Sequence, residues 1–310
     1  MKIIISGATG TIGMALMQRE LKEQNDIWII CHKNSKRIHQ IPQDPKIRIL
    51  EYNLDEYTQL TKEKIGISEN DQIDVFFHFA WEGTTGASRN DMPLQIGNIR
   101  HTMDAVELAN RLGCHTFIGA GSQAEYGRVE GLLTADTPAF PENGYGMAKL
   151  CAGQMSRQRC EELGMRHIWT RILSVYGPYD GEGSLVMSTL HKLMAGQRAS
   201  CTKGEQQWDY LYSEDAAEAM HRLAIHGKTG KIYVLGSGSV HPLREYIEKM
   251  RDAVSEVVTE SGEVGLGDIP YAPKQVMYLG ADISELVQDT GFSPKFSFDE
   301  GIRKIIDSKG

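Results

Sequence analysis

The sequence predicts an α/β protein: a doubly wound parallel sheet with a smaller C-terminal lobe. Three observations carry this reading. Short apolar runs alternate with amphipathic stretches through the first half, the pattern of strands joined by crossover helices. A glycine-rich turn, Gly7-Ala8-Thr9-Gly10-Thr11-Ile12-Gly13, separates the first apolar run from the first amphipathic stretch. Past residue 173 the regularity falls, as it does when a second lobe threads around the last strands of a sheet.

The runs KIIIS (2–6), DIWIIC (26–31), KIRIL (46–50), DVFFHF (74–79), HTFIGA (115–120) and HIWTRIL (167–173) are short and rich in β-branched and aromatic residues, so each is read as a strand. Between them the apolar spacing predicts long helices over 11–24, 92–112 and 143–163. The second half reads as helices near 184–196 and 214–225, a strand at 231–235, and helices near 243–256, 282–288 and 298–307. No internal repeat or low-complexity linker interrupts the chain. We expect one domain from 1–173 plus about 209–235, and a lobe from about 174–208 plus 236–310, packed as one unit with a cleft between them.

Composition narrows the function class. The 310 residues carry 33 Lys and Arg against 41 Asp and Glu, a net charge of −8. That balance argues against a nucleic-acid binder, which needs a basic footprint to displace counterions. No window approaches the ~20 apolar residues of a membrane span, and the start MKIIISGATG lacks the layout of a signal peptide, so a cytoplasmic protein with no membrane partner is expected. Five cysteines without a CxxC pair predict reduced thiols. Ten histidines without HExxH or paired spacing give no metal site.

Chemistry concentrates in three pieces. Glycines at 7, 10 and 13, after a strand and before a helix, let the backbone approach a diphosphate whose charge then meets free N–H groups at the helix start. Tyr145 and Lys149 lie four apart on a predicted helix, on one face. The ammonium can then favour the ionised phenol, making Tyr145 a proton donor or acceptor near neutral pH. Of the 12 tyrosines only Tyr145 has a Lys four residues on. Ser122, after the fifth strand, falls at the carboxyl edge of the sheet, where ligands of open α/β sheets bind.

With these pieces in order the chain resembles the extended short-chain dehydrogenase/reductase family, in its nucleotide-sugar epimerase, dehydratase and ketoreductase branch, on a Rossmann-type sheet. The resemblance runs nearly end to end: the glycine triplet, Asn53-Leu54, His78-Phe79-Ala80, Asn98, Ser122, Tyr145 with Lys149, Arg171-Ile-Leu-Ser-Val-Tyr176-Gly177-Pro178, the stretch 208–219, Tyr233-Val-Leu-Gly236, and the closing ADISELVQDTGFSP. It implies hydride transfer between a nicotinamide and a sugar carbon of a nucleotide-diphosphate sugar. Tyr145 would exchange the proton, Lys149 would hold the nicotinamide ribose and lower the Tyr145 pKa, and Ser122 would hydrogen-bond the reacting oxygen. Cofactor contacts are expected from Gly7, Thr9, Gly10, Thr11, Ile12, Gly13, His32, Lys33, Ser35, Arg37, Asn53, Leu54, Phe79, Ala80, Trp81, Asn98, Tyr145, Lys149 and Ile172, with His78 beside the ribose and diphosphate. Substrate contacts are expected from Glu82, Thr84, Ser122, Gln123, Ser174, Tyr176 and Trp208. A homodimer through the helices at 92–112 and 143–163 is also implied, with Met147, Leu150 and Met155 apolar on the second.

Departures from the family pattern narrow the reaction. The second strand ends in Cys31-His32-Lys33-Asn34-Ser35-Lys36-Arg37, without the Asp that NAD-preferring members use on the ribose hydroxyls. Lys33 and Arg37 could instead hold a 2′-phosphate, so NADP(H) is the expected cofactor, with NAD(H) the alternative. The 4,6-dehydratases place an Asp-Glu pair after the active-site Ser or Thr. Gln123 and Ala124 stand there, and neither transfers a proton at neutral pH. Ser174 and Trp208 replace the Asn and Arg that often contact the substrate diphosphate. The expected reaction is reduction of a 4-keto (deoxy)sugar nucleotide. A 4-epimerase with tightly bound NAD is the alternative, and a non-catalytic dinucleotide-binding regulator is the rival from another class.

Overall fold

The structure, a computed structural model, describes residues 1–308; the last two residues of the expected second lobe, 309 and 310, lie outside them. Seven parallel strands form the central sheet: β1 (Lys2–Ser6), β2 (Asp26–Cys31), β3 (Ile47–Glu51), β4 (Val75–His78), β5 (Thr116–Ser122), β6 (Arg166–Ile172) and β7 (Ile232–Leu235). Their order is β7-β6-β5-β4-β1-β2-β3. The order reverses between β1 and β4, and there the carboxyl ends of the strands open a crevice. The helices are α1 (Thr11–Lys22), α2 (Met92–Arg111), α3 (Gly144–Glu162), α4 (Leu185–Met194), α5 (Ser213–His226), α6 (Leu243–Ser255), α7 (Ser284–Thr290) and α8 (Phe298–Asp307).

The continuous apolar runs of the strands follow from burial on both faces. Successive side chains alternate: Ile3 and Ile5 of β1 meet Met14 and Met17 of α1 and Met220 and Leu223 of α5. Ile4, between them, joins Phe76, Phe117, and Val106 and Leu108 of α2 on the opposite face. A third core gathers α4, α6 and α8 around Tyr176 and Tyr212.

The elements fall close to the sequence expectation, with instructive differences. The first helix stops at Lys22 rather than 24, because Gln24 takes φ 57° to turn the chain into β2. The fifth strand runs to Ser122 rather than 120, so Ser122 is held by sheet bonds and not by a loop. Short strands at 132–133, 174–176, 199–201, 207–208, 210–212, 241–242, 264–266 and 278–281 escaped the sequence reading, being too short to express an alternation. Asp209, fully buried between two of them, accepts from the Ser237 N–H and hydroxyl (both 2.7 Å), the Gly238 N–H (3.1 Å) and the Ala281 N–H (3.2 Å). It thereby fastens the end of β7 to the small sheet beside it. No described helix is long and apolar enough to cross a membrane.

Candidate active site

β1 delivers the glycine-rich turn to the crevice. Gly7 takes φ +73°, and a Cβ there would lie 2.6 Å from the Ala80 N. A Cβ on Gly13 would lie 2.6 Å from the Ala8 Cα, so the turn closes tightly onto α1. At Gly10 a Cβ would meet nothing nearer than 3.6 Å; here absence of a side chain leaves room for a ligand. Gly10 caps α1 without a side-chain hydrogen bond, and no acidic residue lies in the first turn. Unused N–H groups and the positive helix end therefore face that space, which fits a dinucleotide diphosphate. Thr9, Thr11 and Ile12 are half-buried around it, and the Thr11 hydroxyl donates to the Tyr179 carbonyl (3.2 Å).

Beyond β2 the two expected cations part company. Lys33 Nζ forms an ion pair with Glu56 at 2.5 Å, while its N–H donates to Asn53 Oδ1 (3.1 Å). Asn53 and Glu56 form a reciprocal cap on the turn that follows β3. Arg37 turns back instead, donating to the carbonyls of Thr9 (3.3 Å) and Tyr179 (3.1 Å). His32 is exposed and Ser35 buried. Leu54 and Phe79 pack against the two cores. His78, expected beside the cofactor, is sealed in the sheet, bonded to Ser6 Oγ (2.9 Å) and held neutral by burial, with its pKa lowered to about 3.

The proton-transfer candidates converge where β5 meets α3. Ser122 ends β5, Tyr145 lies in the first turn of α3, and Lys149 is one turn further; all are buried. The Ser122 hydroxyl lies close enough to the Tyr145 phenol to lower its pKa, and Ser122 Oγ accepts from the Ala124 N–H (3.2 Å). Lys149 Nζ donates to the Ala120 carbonyl (2.6 Å) and lies 3.7 Å from the centre of the Trp81 ring. Trp81 meets Tyr145 edge-on with centroids 6.1 Å apart. The Arg89 guanidinium stands 4.3 Å over the Tyr145 ring.

The electrostatics differ from expectation. Burial pushes the Tyr145 phenol above its ordinary value, opposed by the nearby Ser122 hydroxyl and by the charge of Arg89. Burial also lowers Lys149 to about 7, with Glu125 opposing. Lys149 is therefore a much weaker source of fixed positive charge than its spacing from Tyr145 suggested, because desolvation penalises its ammonium.

A loop from 81 to 90 covers the pair. Asn98, expected as a cofactor ligand, is 1% exposed, and its amide is engaged by the Glu82 N–H (3.0 Å) and carbonyl (2.9 Å). These two bonds tie it to the covering loop. Glu82 and Thr84 are exposed on that loop, and Gln123 is half-buried beside Ser122. Ile172, ending β6, is half-buried. Trp208 Nε1 donates to Ser174 Oγ (2.8 Å), so two expected substrate residues stand together. Tyr176 does not join them: it is 1% exposed, and its hydroxyl donates to the Phe298 carbonyl (3.3 Å) inside the aromatic core. Glu125 is equally sealed, accepting from Arg171 Nε (2.9 Å), Trp169 Nε1 (3.0 Å) and the Ser122 N–H (2.8 Å). Arg89 was missed by sequence reasoning, since no spacing relates positions 89 and 145.

A glycine cradle at the switch point and a Ser, Tyr, Lys trio at the adjoining strand end define the class: a dinucleotide-dependent enzyme on a Rossmann-type sheet. Residues 3–236 match the NAD dependent epimerase/dehydratase family. Among curated relatives, dTDP-glucose 4,6-dehydratase of Salmonella typhimurium is 24% identical over 336 residues, covering 99% of this chain and 92% of its own. The mouse dTDP-D-glucose 4,6-dehydratase is 26% identical over 247 residues, 77% of this chain and 68% of its own. Among solved structures, the UDP-N-acetylglucosamine 4-epimerase of Methanobrevibacter ruminantium superposes with a TM-score of 0.85 at 20% identity, covering 100% of this chain and 99% of that one. The NAD complex of the Bacillus anthracis dTDP-glucose 4,6-dehydratase superposes with a TM-score of 0.83 at 19% identity, over 99% and 96% of the chains. The chain belongs to the NAD-dependent epimerase/dehydratase family, enzymes of the extended short-chain dehydrogenase/reductase type.

Proposed function

We propose that the protein reduces a 4-keto (deoxy)sugar nucleotide, with NADP(H) as the preferred cofactor and Tyr145 as the proton donor. The observation that carries this reading is the state of Tyr145: it is buried next to Ser122 at the sheet edge, and burial keeps the phenol protonated. A phenol held in its acid form suits donation to an oxygen that is being reduced. The bound nicotinamide supplies the hydride. Ser122 steadies the reacting oxygen, Lys149 holds the cofactor ribose beside Tyr145, and the Gly7–Gly13 turn receives the diphosphate.

The curated relatives described above are named as 4,6-dehydratases, but a dehydratase needs an acid and a base of its own beside the Ser. Gln123 and Ala124 occupy those positions, and Glu125 is consumed by Arg171 and Trp169. On the cofactor side, no carboxylate ends β2, and Arg37 reaches the glycine turn. Because Glu56 offsets Lys33, we assign the larger share of 2′-phosphate discrimination to Arg37. Residues 174–208, which include the hydrogen-bonded Ser174 and Trp208, and 236–308 are the proposed substrate lobe, and the chain is proposed to act as a homodimer.

A 4-epimerase remains the second reading, favoured by the epimerases among the structural neighbours. The two separate on one preparation. Titration with NADPH and NADH, followed by nicotinamide fluorescence, should show tighter NADPH binding to empty protein. NADPH should then be oxidised on adding a nucleotide 4-keto-6-deoxysugar. Tyr145→Phe should bind NADPH normally yet lose turnover by about 10²–10⁴-fold. Co-purified NAD that barely exchanges would replace the reductase with the epimerase.

A further inference from the structure

We propose that Arg89 is a positioning residue for the reaction: its guanidinium, stacked on the Tyr145 ring, supplies the positive charge that steadies the phenolate. The inference rests on the reading of Tyr145 as proton donor. When the Tyr145 O–H bond breaks and the proton passes to the sugar oxygen, a negative charge is left on a buried phenolate. Something must meet that charge. Lys149 is the obvious candidate by spacing, but its Nζ lies 5.8 Å from the centre of the Tyr145 ring, donates to the Ala120 carbonyl and rests on Trp81. Arg89 stands nearer the ring, at 4.3 Å, and a guanidinium stays charged at every working pH.

The arrangement around Arg89 is built rather than incidental. It belongs to the short turn Gly86–Asn90, whose neighbouring Asn90 accepts from the Gly144 N–H (3.0 Å) at the start of α3. A Cβ on Gly144 would lie 3.1 Å from the Arg89 carbonyl, so the turn and the helix bearing Tyr145 touch closely. Arg89 also donates to the Thr84 carbonyl (3.1 Å), which ties its guanidinium to the covering loop.

The other charged groups facing Tyr145 are few. Glu125, beyond Ser122, acts in the opposite direction, but its carboxylate is already bound by Arg171 and Trp169. Lys149 follows one turn along the same helix, and no acidic residue occupies the first turn of α3. Removing Arg89 therefore removes the cation that lies over the Tyr145 ring without freeing another. An opposite charge at this range typically moves a titration by one unit or more.

The test replaces Tyr145 with 3,5-difluorotyrosine, whose phenol ionises at lower pH, and follows its fluorine resonance during a pH titration of the otherwise intact protein. In the Arg89→Gln variant the midpoint should move to higher pH by about one unit or more, while Arg89→Lys, which keeps the charge, should stay close to the parent. An unchanged midpoint in Arg89→Gln, or an equal shift in Arg89→Lys, overturns the proposal. Turnover of the Tyr145→Phe variant separates the two levels. If that variant still oxidises NADPH with the 4-keto sugar nucleotide, the reading of Tyr145 fails, whatever the titration shows.

Discussion

Gly7 shows how much a single position can be required to do. Its φ of +73° strains any L side chain, and an added Cβ would meet the Ala80 backbone at 2.6 Å. Backbone cannot step aside as a flexible side chain can, so the turn itself must open. Gly7→Ala is expected to destabilise the protein by about 1–3 kcal/mol and to weaken cofactor binding at least ~10-fold by displacing the N–H groups of the turn. Urea unfolding and nicotinamide fluorescence check the two effects, and wild-type values in both would refute the role assigned to the turn. Much of the candidate site could be read from sequence where the signal is local: the glycines by their place between strand and helix, and Tyr145 with Lys149 by a spacing of four. What could not be read depends on tertiary approach. Arg89 reaches Tyr145 across 56 positions. The sealing of Tyr176 depends on α8, which supplies its Phe298 partner, and the Asn98 amide is taken up by the Glu82 backbone of the loop.

At the level of elements, two strands carry imidazoles that the sheet holds neutral. His78 ends β4, and His167 lies in β6 between Phe117 and Trp169, its ring stacked on both. Burial lowers each pKa to about 3, whereas an unfolded imidazole titrates near ~6.5. Between those values the unfolded chain binds more protons than the folded one. Their contribution to stability is therefore complete above about pH 6.5 and is lost as pH falls toward about 3. His167→Phe keeps a ring in the stack and removes one proton from the balance. Its unfolding free energy should fall less steeply on acidification, by about 1.4 kcal/mol per pH unit around pH 4–6, measured by denaturant titration at several pH values. A slope equal to that of the parent would mean His167 titrates normally in the fold. The same strands explain which elements were legible. β1, β4 and β5 are buried on both faces, so continuous apolar runs announce them. The strands of two or three residues in the second half are fixed by neighbours such as Asp209, and nothing in their own sequence marks them.

For the whole molecule, the open question is what covers the outer surface of α2 and α3. These helices pack side by side and are linked by the Arg159 to Glu107 ion pair at 2.6 Å. Positions 147, 151 and 155 recur every four residues, which puts them on one stripe of α3. Met147 and Met155 there are 48% and 46% exposed, and Ile96 on α2 is 65% exposed. Large apolar side chains gathered on adjoining helices are what a helix-pair interface between two copies would bury. The stripe also lies on the helix that carries Tyr145 and Lys149, so pairing would brace the catalytic helix from its outer side. Sedimentation should show a dimer for the parent. The double variant Ile96→Glu, Met155→Glu should sediment as a monomer with little loss of fold stability, because neither side chain contributes to the core of one copy. Its NADPH binding should persist, since the glycine turn lies between β1 and α1 and Arg37 lies in the loop after β2. A parent that is monomeric at every concentration would remove the dimer, and a charged variant that still dimerises would move the interface to another face.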